Sequence, residues 1–174
     1  IALQGPKSRD TLLAMGVNDA DRAKIMKLLR TQLCDATVGG FDLIVSRTGY
    51  TGEKMAFELF VHPEQAADFW MAVLKAGEKF GVMPIGLGAR DSLRTEAGLP
   101  LYGHEMGLGS GKLGQPDLGV AEGGFGSYVK TYKPYFIGRD AFIANEKQRK
   151  SVVIRFAFTE KGVRMAHNGD PVMD

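Results

Sequence analysis

The chain has 174 residues, 44% hydrophobic and 24% charged, and its 22 basic and 20 acidic residues leave a formal net charge of +2. That is room for one domain, or one and a fraction, with a proper core, and so even a charge balance makes no strong case for nucleic acid or an anionic membrane beyond a local patch. The single cysteine, Cys34, excludes an intramolecular disulfide and a cysteine-based zinc motif and fits a reducing compartment, while no apolar run reaches the ~18 residues needed to span a bilayer.

In chain order the pattern reads as α+β. "IALQGP" is a short strand ended by Gly5-Pro6, and Ser8 is expected to cap a short helix that Gly16 stops. Asp19 is expected to cap a second helix, with Ile25, Leu28 and Leu29 inward and Arg22, Lys24 and Lys27 outward. Residues 37 to 47 read as a strand after Gly39-Gly40, and 56 to 61 as its hairpin neighbour across "TGYTGEKM". Pro63 opens a long helix to Ala76 whose inner stripe is Ala66, Phe69, Trp70, Val73 and Leu74. "GLGARDSLRTEAG" predicts a further helix, 101 to 130 a glycine-rich connection, and "FIGRDAFIANEKQR" a turn and short helix. "SVVIRFAF" reads as a strand, followed by a turn at Asn168-Gly169. The chain starts at Ile1 without a methionine and stops as this last segment begins, which reads as a piece of a longer protein.

Two apparent motifs carry no chemistry. "GLGSGK" at 107 to 112 lacks the glycine five residues before Gly111 and the Ser/Thr after Lys112 that a phosphate-binding loop needs. His62, His104 and His167 are scattered, without a second histidine at helical ligand spacing, so no metal site is expected.

Two segments carry more. On the strand "FELFV", Phe57, Leu59 and Val61 form one face, and the other puts Glu58 beside Phe60. On the helix from Gly86 to Ala97, Leu87, Arg90, Arg94 and Ala97 share a face, so two arginines interrupt a stripe that should be apolar. One reading is internal ion pairing, Arg90 with Glu58 or Arg94 with Asp91. The other is a polar-ended pocket, with Tyr50 and Phe60 as aromatic walls, and Glu58 and Arg90 as acceptor and donor forks for a flat heterocycle such as a pterin.

"IALQGP", "SRTGYTGE" with "FEL", "GLGARDSLRTEAGLPLYGHE", "VK" and "FIGRDA" occur in this order. Together they resemble the aminomethyltransferase (T-protein) family of the glycine cleavage system and its folate-binding relatives. The resemblance implies an antiparallel sheet with flanking helices over residues 1–147, the C-terminal part of a folate-binding domain. Residues 148–174 would be the first strands of a C-terminal β-barrel domain. It implies tetrahydrofolate as acceptor of a one-carbon unit from the aminomethyl group on a lipoylated carrier protein (H-protein), with release of ammonia. Glu58 would hold the pterin edge, Arg90 would contact folate, and Tyr50 would line the channel. The implied location is the bacterial cytoplasm, or the mitochondrial matrix in a eukaryote. The family's aspartate at the folate nitrogens belongs to a segment before "IALQGP". No catalytic residue is therefore assigned here, and the chain by itself is expected to be inactive. "GEKMAFE" is one residue longer than the family's usual "GEDGFE". A folate-dependent demethylase, an amine-oxidase-type folate domain and a non-catalytic folate-binding module stand as alternatives.

Overall fold

The computed structural model describes residues 1–107, 118–164, 166, 170 and 171. Most of "GLGSGK", His167 and the Asn168-Gly169 turn lie outside the described residues. The chain divides into two compact units, Ile1–Pro100 and Leu101–Asp174.

The first unit is a four-stranded antiparallel sheet in the order β1-β4-β3-β2, from β1 (Ala2–Gln4), β2 (Leu33–Val38), β3 (Phe41–Ser46) and β4 (Ala56–Phe60). β2 and β3 join through Gly39-Gly40, both with positive φ (62° and 85°). This is the two-residue hairpin turn whose twist matches the strands, and glycine meets its demand without a Cβ penalty. β3 and β4 pair with Ser46 opposite Glu58 and Ile44 opposite Phe60, and β1 sets Ala2 against the other side of Glu58.

The side-chain period of two sends Leu3, Ala36, Val38, Leu43, Val45, Phe57 and Leu59 to one face, all of them buried. Leu12 of α1 (Ser8–Ala14), Ile25 of α2 (Asp19–Lys27) and Phe69 and Val73 of α3 (Ala66–Gly77) complete this core. Each large apolar side chain there contributes roughly 1.5–3 kcal/mol, and Phe41 adds an edge-on contact to Phe69 at 5.2 Å between ring centroids. The opposite face of the sheet carries Ala2, Leu33, Ile44, Ser46, Ala56, Glu58 and Phe60. Leu33, Ile44 and Phe60 remain exposed there.

Several local expectations are corrected. α2 is capped by Asn18, one residue before Asp19; the Asn18 side chain accepts from the Asp21 N–H. Asn18 and Asp19 are both good cap residues, and the network around Asp21 decides between them. The Asp21 carboxylate accepts from Lys24 Nζ (2.7 Å), Asn18 Nδ2 (2.8 Å) and the Thr37 N–H (3.0 Å), which ties α2 to β2. Ser8 is the first residue of α1, and its hydroxyl donates to the Met55 carbonyl instead of capping. Leu29 and Trp70, assigned inward by periodicity, are exposed. α2 ends at Lys27, so Leu29 is past the helix, and the α3 stripe narrows to Phe69 and Val73. β2 begins at Leu33, a strand not anticipated in the segment around Cys34. The long helix opened by Pro63 begins as a 3-10 turn, is α-helical from Ala66 to Gly77 and closes through a second 3-10 turn at Gly81, whose φ is 74°.

In the second unit, α5 (Arg139–Gln148) follows Gly138, whose φ is 87°. Residues 151–158 carry no regular secondary structure. Apolar composition favours a strand, but a strand exists only through its ladder. The Val153 N–H reaches the Glu122 carbonyl (2.9 Å) without opening one. No helix among the described residues is long and apolar enough to cross a membrane.

Candidate functional site

The loop 47–55 connects β3 to β4 and folds over one corner of the open sheet face. Two glycines let it lie flat. A Cβ on Gly49 would stand 2.5 Å from the Ala56 Cβ and 2.7 Å from the Gln4 Oε1. A Cβ on Gly52, where φ is 81°, would stand 2.7 Å from the Ala97 Cβ. The first glycine seats the loop on the sheet, and the second seats the end of α4 (Leu87–Glu96) on the loop. The Thr51 hydroxyl donates to Gln4 Oε1 (2.6 Å), and the Tyr50 hydroxyl donates to the Pro100 carbonyl. Tyr50 is thus half-buried, and its phenol pins the loop to the chain that leaves α4.

Glu58 lies half-buried on the open face of β4, between Ala2 and Ser46 in register. The Thr48 hydroxyl donates to its Oε2, and the Ser46 hydroxyl lies 2.9 Å from that of Thr48. If Thr48 gives its only proton to the carboxylate, Ser46 must donate to Thr48, so the three form a directed chain. It fixes the carboxylate plane while a carboxylate's remaining lone pairs can still accept from outside. Ser46 and Thr48 were not singled out from the sequence. The signal that could have found them is positional: Ser46 is the cross-strand neighbour of Glu58, and Thr48 lies two residues on.

α4 is helical over the expected stretch and ends in a Schellman turn. The Leu99 N–H bonds to the Arg94 carbonyl and the Gly98 N–H to that of Thr95, both at 2.8 Å, with Gly98 at φ 65°. Burial grades along the face shared by Leu87, Arg90, Arg94 and Ala97. Leu87 is exposed, Arg90 half-buried and Arg94 only 3% exposed. The ion-pair reading holds for Arg94: Nε donates to Asp91 Oδ1 at 2.7 Å, Nη2 to the same oxygen, and Nη1 to the Leu99 carbonyl at 3.3 Å. A buried guanidinium so satisfied locks the C-terminal turn of α4 to the segment that Tyr50 also grips. Arg90 and Glu58 do not form an ion pair. The Arg90 guanidinium is one helical turn toward the N-terminus, and its position leaves its charge for other partners.

The structure therefore brings Tyr50 and the end of α4 together and gives Glu58 its own support. Phe60, the expected second aromatic wall, is 59% exposed. It belongs to a shallow cleft that runs past Ile44 and His62 to Asp35, Asp42 and Lys24, and Glu58 is not among its lining. Away from the open face, Lys24 beside Asp21 holds that carboxyl down to about 2, with the Thr37 and Asn18 hydrogen bonds adding to the effect, and Asp21 in turn raises Lys24. Burial pushes the Cys34 thiol up, away from the thiolate form. Among the described residues no group of three His, Cys, Asp or Glu side chains is placed to hold a metal ion.

Residues 1–111 match the GCVT N-terminal domain family. Among curated relatives, the aminomethyltransferase of Alkaliphilus metalliredigens is 37% identical over 181 residues, covering 99% of this chain and 45% of that protein. That of Caldanaerobacter subterraneus is 38% identical over 164 residues, with 94% and 40% covered. That of Clostridium botulinum is 42% identical over 168 residues, with 94% and 41% covered. The chain spans less than half the length of the curated relatives it matches.

Proposed function

Because the chain belongs to the GCVT N-terminal domain family, we propose that it is part of a tetrahydrofolate-dependent aminomethyltransferase of the glycine cleavage system. The reaction moves the one-carbon unit of a lipoyl-bound aminomethyl group to tetrahydrofolate and releases ammonia. The relatives named aminomethyltransferase support this reading.

The observation that carries it is the hydroxyl-supported carboxylate of Glu58 on an open sheet face. A pterin presents a ring N–H and an exocyclic amine side by side, and one carboxylate can accept both. The Ser46–Thr48 chain holds that carboxylate in one plane, so little ordering remains for the ligand to impose. Arg90, half-buried and free of Glu58, is assigned to a folate contact as a donor fork. Tyr50 is assigned to the channel wall through its ring edge, since its hydroxyl is committed to Pro100. No residue here is assigned as catalytic acid or base. The chain's contribution is to hold the acceptor against the carrier's arm and to exclude water, which accelerates a transfer by positioning.

The assignment of residues 1–147 to the folate-binding domain and of 148–174 to the start of a β-barrel domain belongs to the same proposal. It is supported by the end of α5 at Gln148, and that boundary falls inside the second compact unit. A bacterial-type cytoplasmic location and a lipoylated carrier as partner follow from the reading. The chain alone is expected to lack turnover.

The test is Glu58→Gln in the full-length protein. Glutamine offers one acceptor and one donor to two ligand donors. With charge-assisted bonds at roughly 1.5–3 kcal/mol each, tetrahydrofolate affinity should fall about a hundredfold in calorimetric titration. Unchanged affinity in a folded variant would falsify the assignment of Glu58. Ammonia release from glycine with a lipoylated carrier separates the enzyme from a non-catalytic folate-binding module.

A further inference from the structure

Arg47 stands between the two hydroxyl residues that support Glu58, yet its own side chain goes to the other side of the sheet. Leu43 and Val45 of β3 are in the core and Ser46 is paired with Glu58, so alternation carries Arg47 to the core side. There its guanidinium lies over the Phe57 ring, 5.6 Å from Cζ to the centroid. Phe57 is the fully buried neighbour of Glu58 in β4. The Arg47 Nε is buried with no hydrogen-bond partner among the described residues. An apolar side chain covering Phe57 would avoid that cost, so packing alone does not account for an arginine here; attraction between the cation and the ring face does. The Arg47 backbone is held as well. Its N–H donates to the Gln32 carbonyl (2.8 Å), and its carbonyl accepts from the Thr31 N–H (3.1 Å). Thr31 makes that bond from φ 72°, the one positive value outside glycine among the described residues. A β-branched residue enters that region only when its surroundings hold it there.

We propose that Arg47 is a positioning residue for the Glu58 carboxylate, acting through Thr48. The ligand that the carboxylate is positioned for rests on the proposed function. The path is short. The Arg47 carbonyl lies in the planar peptide that ends at the Thr48 Cα, so the bond from Thr31 sets where Thr48 begins. The pairing of β3 with β4 ends at Ser46 opposite Glu58, so past Ser46 no ladder holds the exit of β3 against β4. The guanidinium on Phe57 takes that place: it ties the exit of β3 to β4 one residue from Glu58. With its backbone held from both sides, Thr48 presents its hydroxyl to Glu58 Oε2, and the Ser46 hydroxyl lies 2.9 Å behind it.

The test uses the full-length protein, with tetrahydrofolate affinity from calorimetric titration, melting temperature, and crystal structures of the variants. Arg47→Met keeps the stem and removes the charge, Arg47→Lys keeps a cation over the ring, and Thr48→Val removes the hydroxyl. Thr48→Val should weaken tetrahydrofolate binding about tenfold, and Arg47→Met about fivefold. Arg47→Lys should lose less, about twofold, since it keeps a charge but not a flat one. The double variant Arg47→Met with Thr48→Val should bind no more weakly than Thr48→Val alone, because Arg47 acts through that hydroxyl. A merely structural arginine gives another pattern: a lower melting temperature with affinity unchanged, or losses that multiply in the double variant. Either result would overturn the inference. In the crystal structure of Arg47→Met the Thr48 hydroxyl should have left Glu58; finding it still on Oε2 would overturn the inference without any ligand. If the parent does not bind tetrahydrofolate, the proposed function fails, and that crystal structure alone decides the role of Arg47. Should Arg47→Met not fold, Arg47→Gln takes its place with the same expectations.

Discussion

Replacing Gly52 by alanine separates two costs that the structure superposes at one residue. Gly52 has φ 81°, where an L side chain costs about 1–2 kcal/mol. Its added Cβ would also stand 2.7 Å from the Ala97 Cβ, about 0.8–1.3 Å inside the ~3.5–4.0 Å optimum for carbon pairs. Ala97 caps α4 and has little freedom to retreat, so overpacking adds about 1–3 kcal/mol. Gly81 supplies the reference: its φ is 74°, and nothing lies within 4 Å of the Cβ position. Gly81→Ala should therefore cost only the backbone part, about 1–2 kcal/mol, and Gly52→Ala about 2–5 kcal/mol. Equilibrium urea unfolding measures both. Adding Ala97→Gly to Gly52→Ala should recover about 1 kcal/mol or more as a coupling energy. Equal losses at Gly52 and Gly81, with no coupling to Ala97, would mean that α4 does not rest on the loop. The account of the "TGYTGE" glycines would then be wrong.

Acid should weaken the fold through Asp21, whose folded pKa lies at about 2 against an ordinary 3.8. A depressed carboxyl contributes its stability above the unfolded value and loses it as pH falls through the folded one. Thermal melts should therefore drop between about pH 4 and pH 2, and Asp21→Asn should flatten that limb; an unaltered limb would place the acid sensitivity elsewhere. At the end of α4, Asp91→Ala removes the acceptor of two donors of the nearly buried Arg94 and should cost about 2–4 kcal/mol. Arg94→Met takes the guanidinium away from an Asp91 that is itself half-exposed and should cost less, about 1–2 kcal/mol; the reverse order in urea unfolding would contradict the burial assignment.

The fold was legible where one local signal acted alone. Alternation fixed β4 and its core face, Pro63 and Gly81 bracketed the third helix, and the boundaries of α4 followed from "GLGARDSLRTEAG". Failures occurred where two acceptable signals competed or where pairing decided. Asn18 and Asp19 can both cap, and the fixed geometry of Asp21 selects the first. β2 was hidden because Cys34, Ala36 and Val38 alternate with Leu33, Asp35 and Thr37, a weak contrast. The Gly-Gly turn with a strand after it does require a strand before it. "SVVIRFAF" has strand composition and no ladder, and composition cannot supply the partner.

The candidate site divides along the same line. The placement of Glu58 on the non-core face of β4 could be read from alternation alone. Its support could not, since the Ser46–Thr48–Glu58 chain exists only through the register of β3 against β4. The two arginines looked equivalent on a helical wheel, and the structure distinguishes them by position along the axis. Arg94 lies where α4 meets the Tyr50 loop and is consumed in holding that junction. Arg90 lies a turn earlier, where burial is already falling away toward exposed Leu87. A guanidinium that anchors a junction cannot also follow a ligand without loosening the helix. The proposed function therefore gives the ligand-facing role to Arg90, because Arg94 performs the structural one. It gives Glu58, which the fold holds through the hydroxyls of Thr48 and Ser46 and which has no cation beside it among the described residues, the recognition of donors from outside.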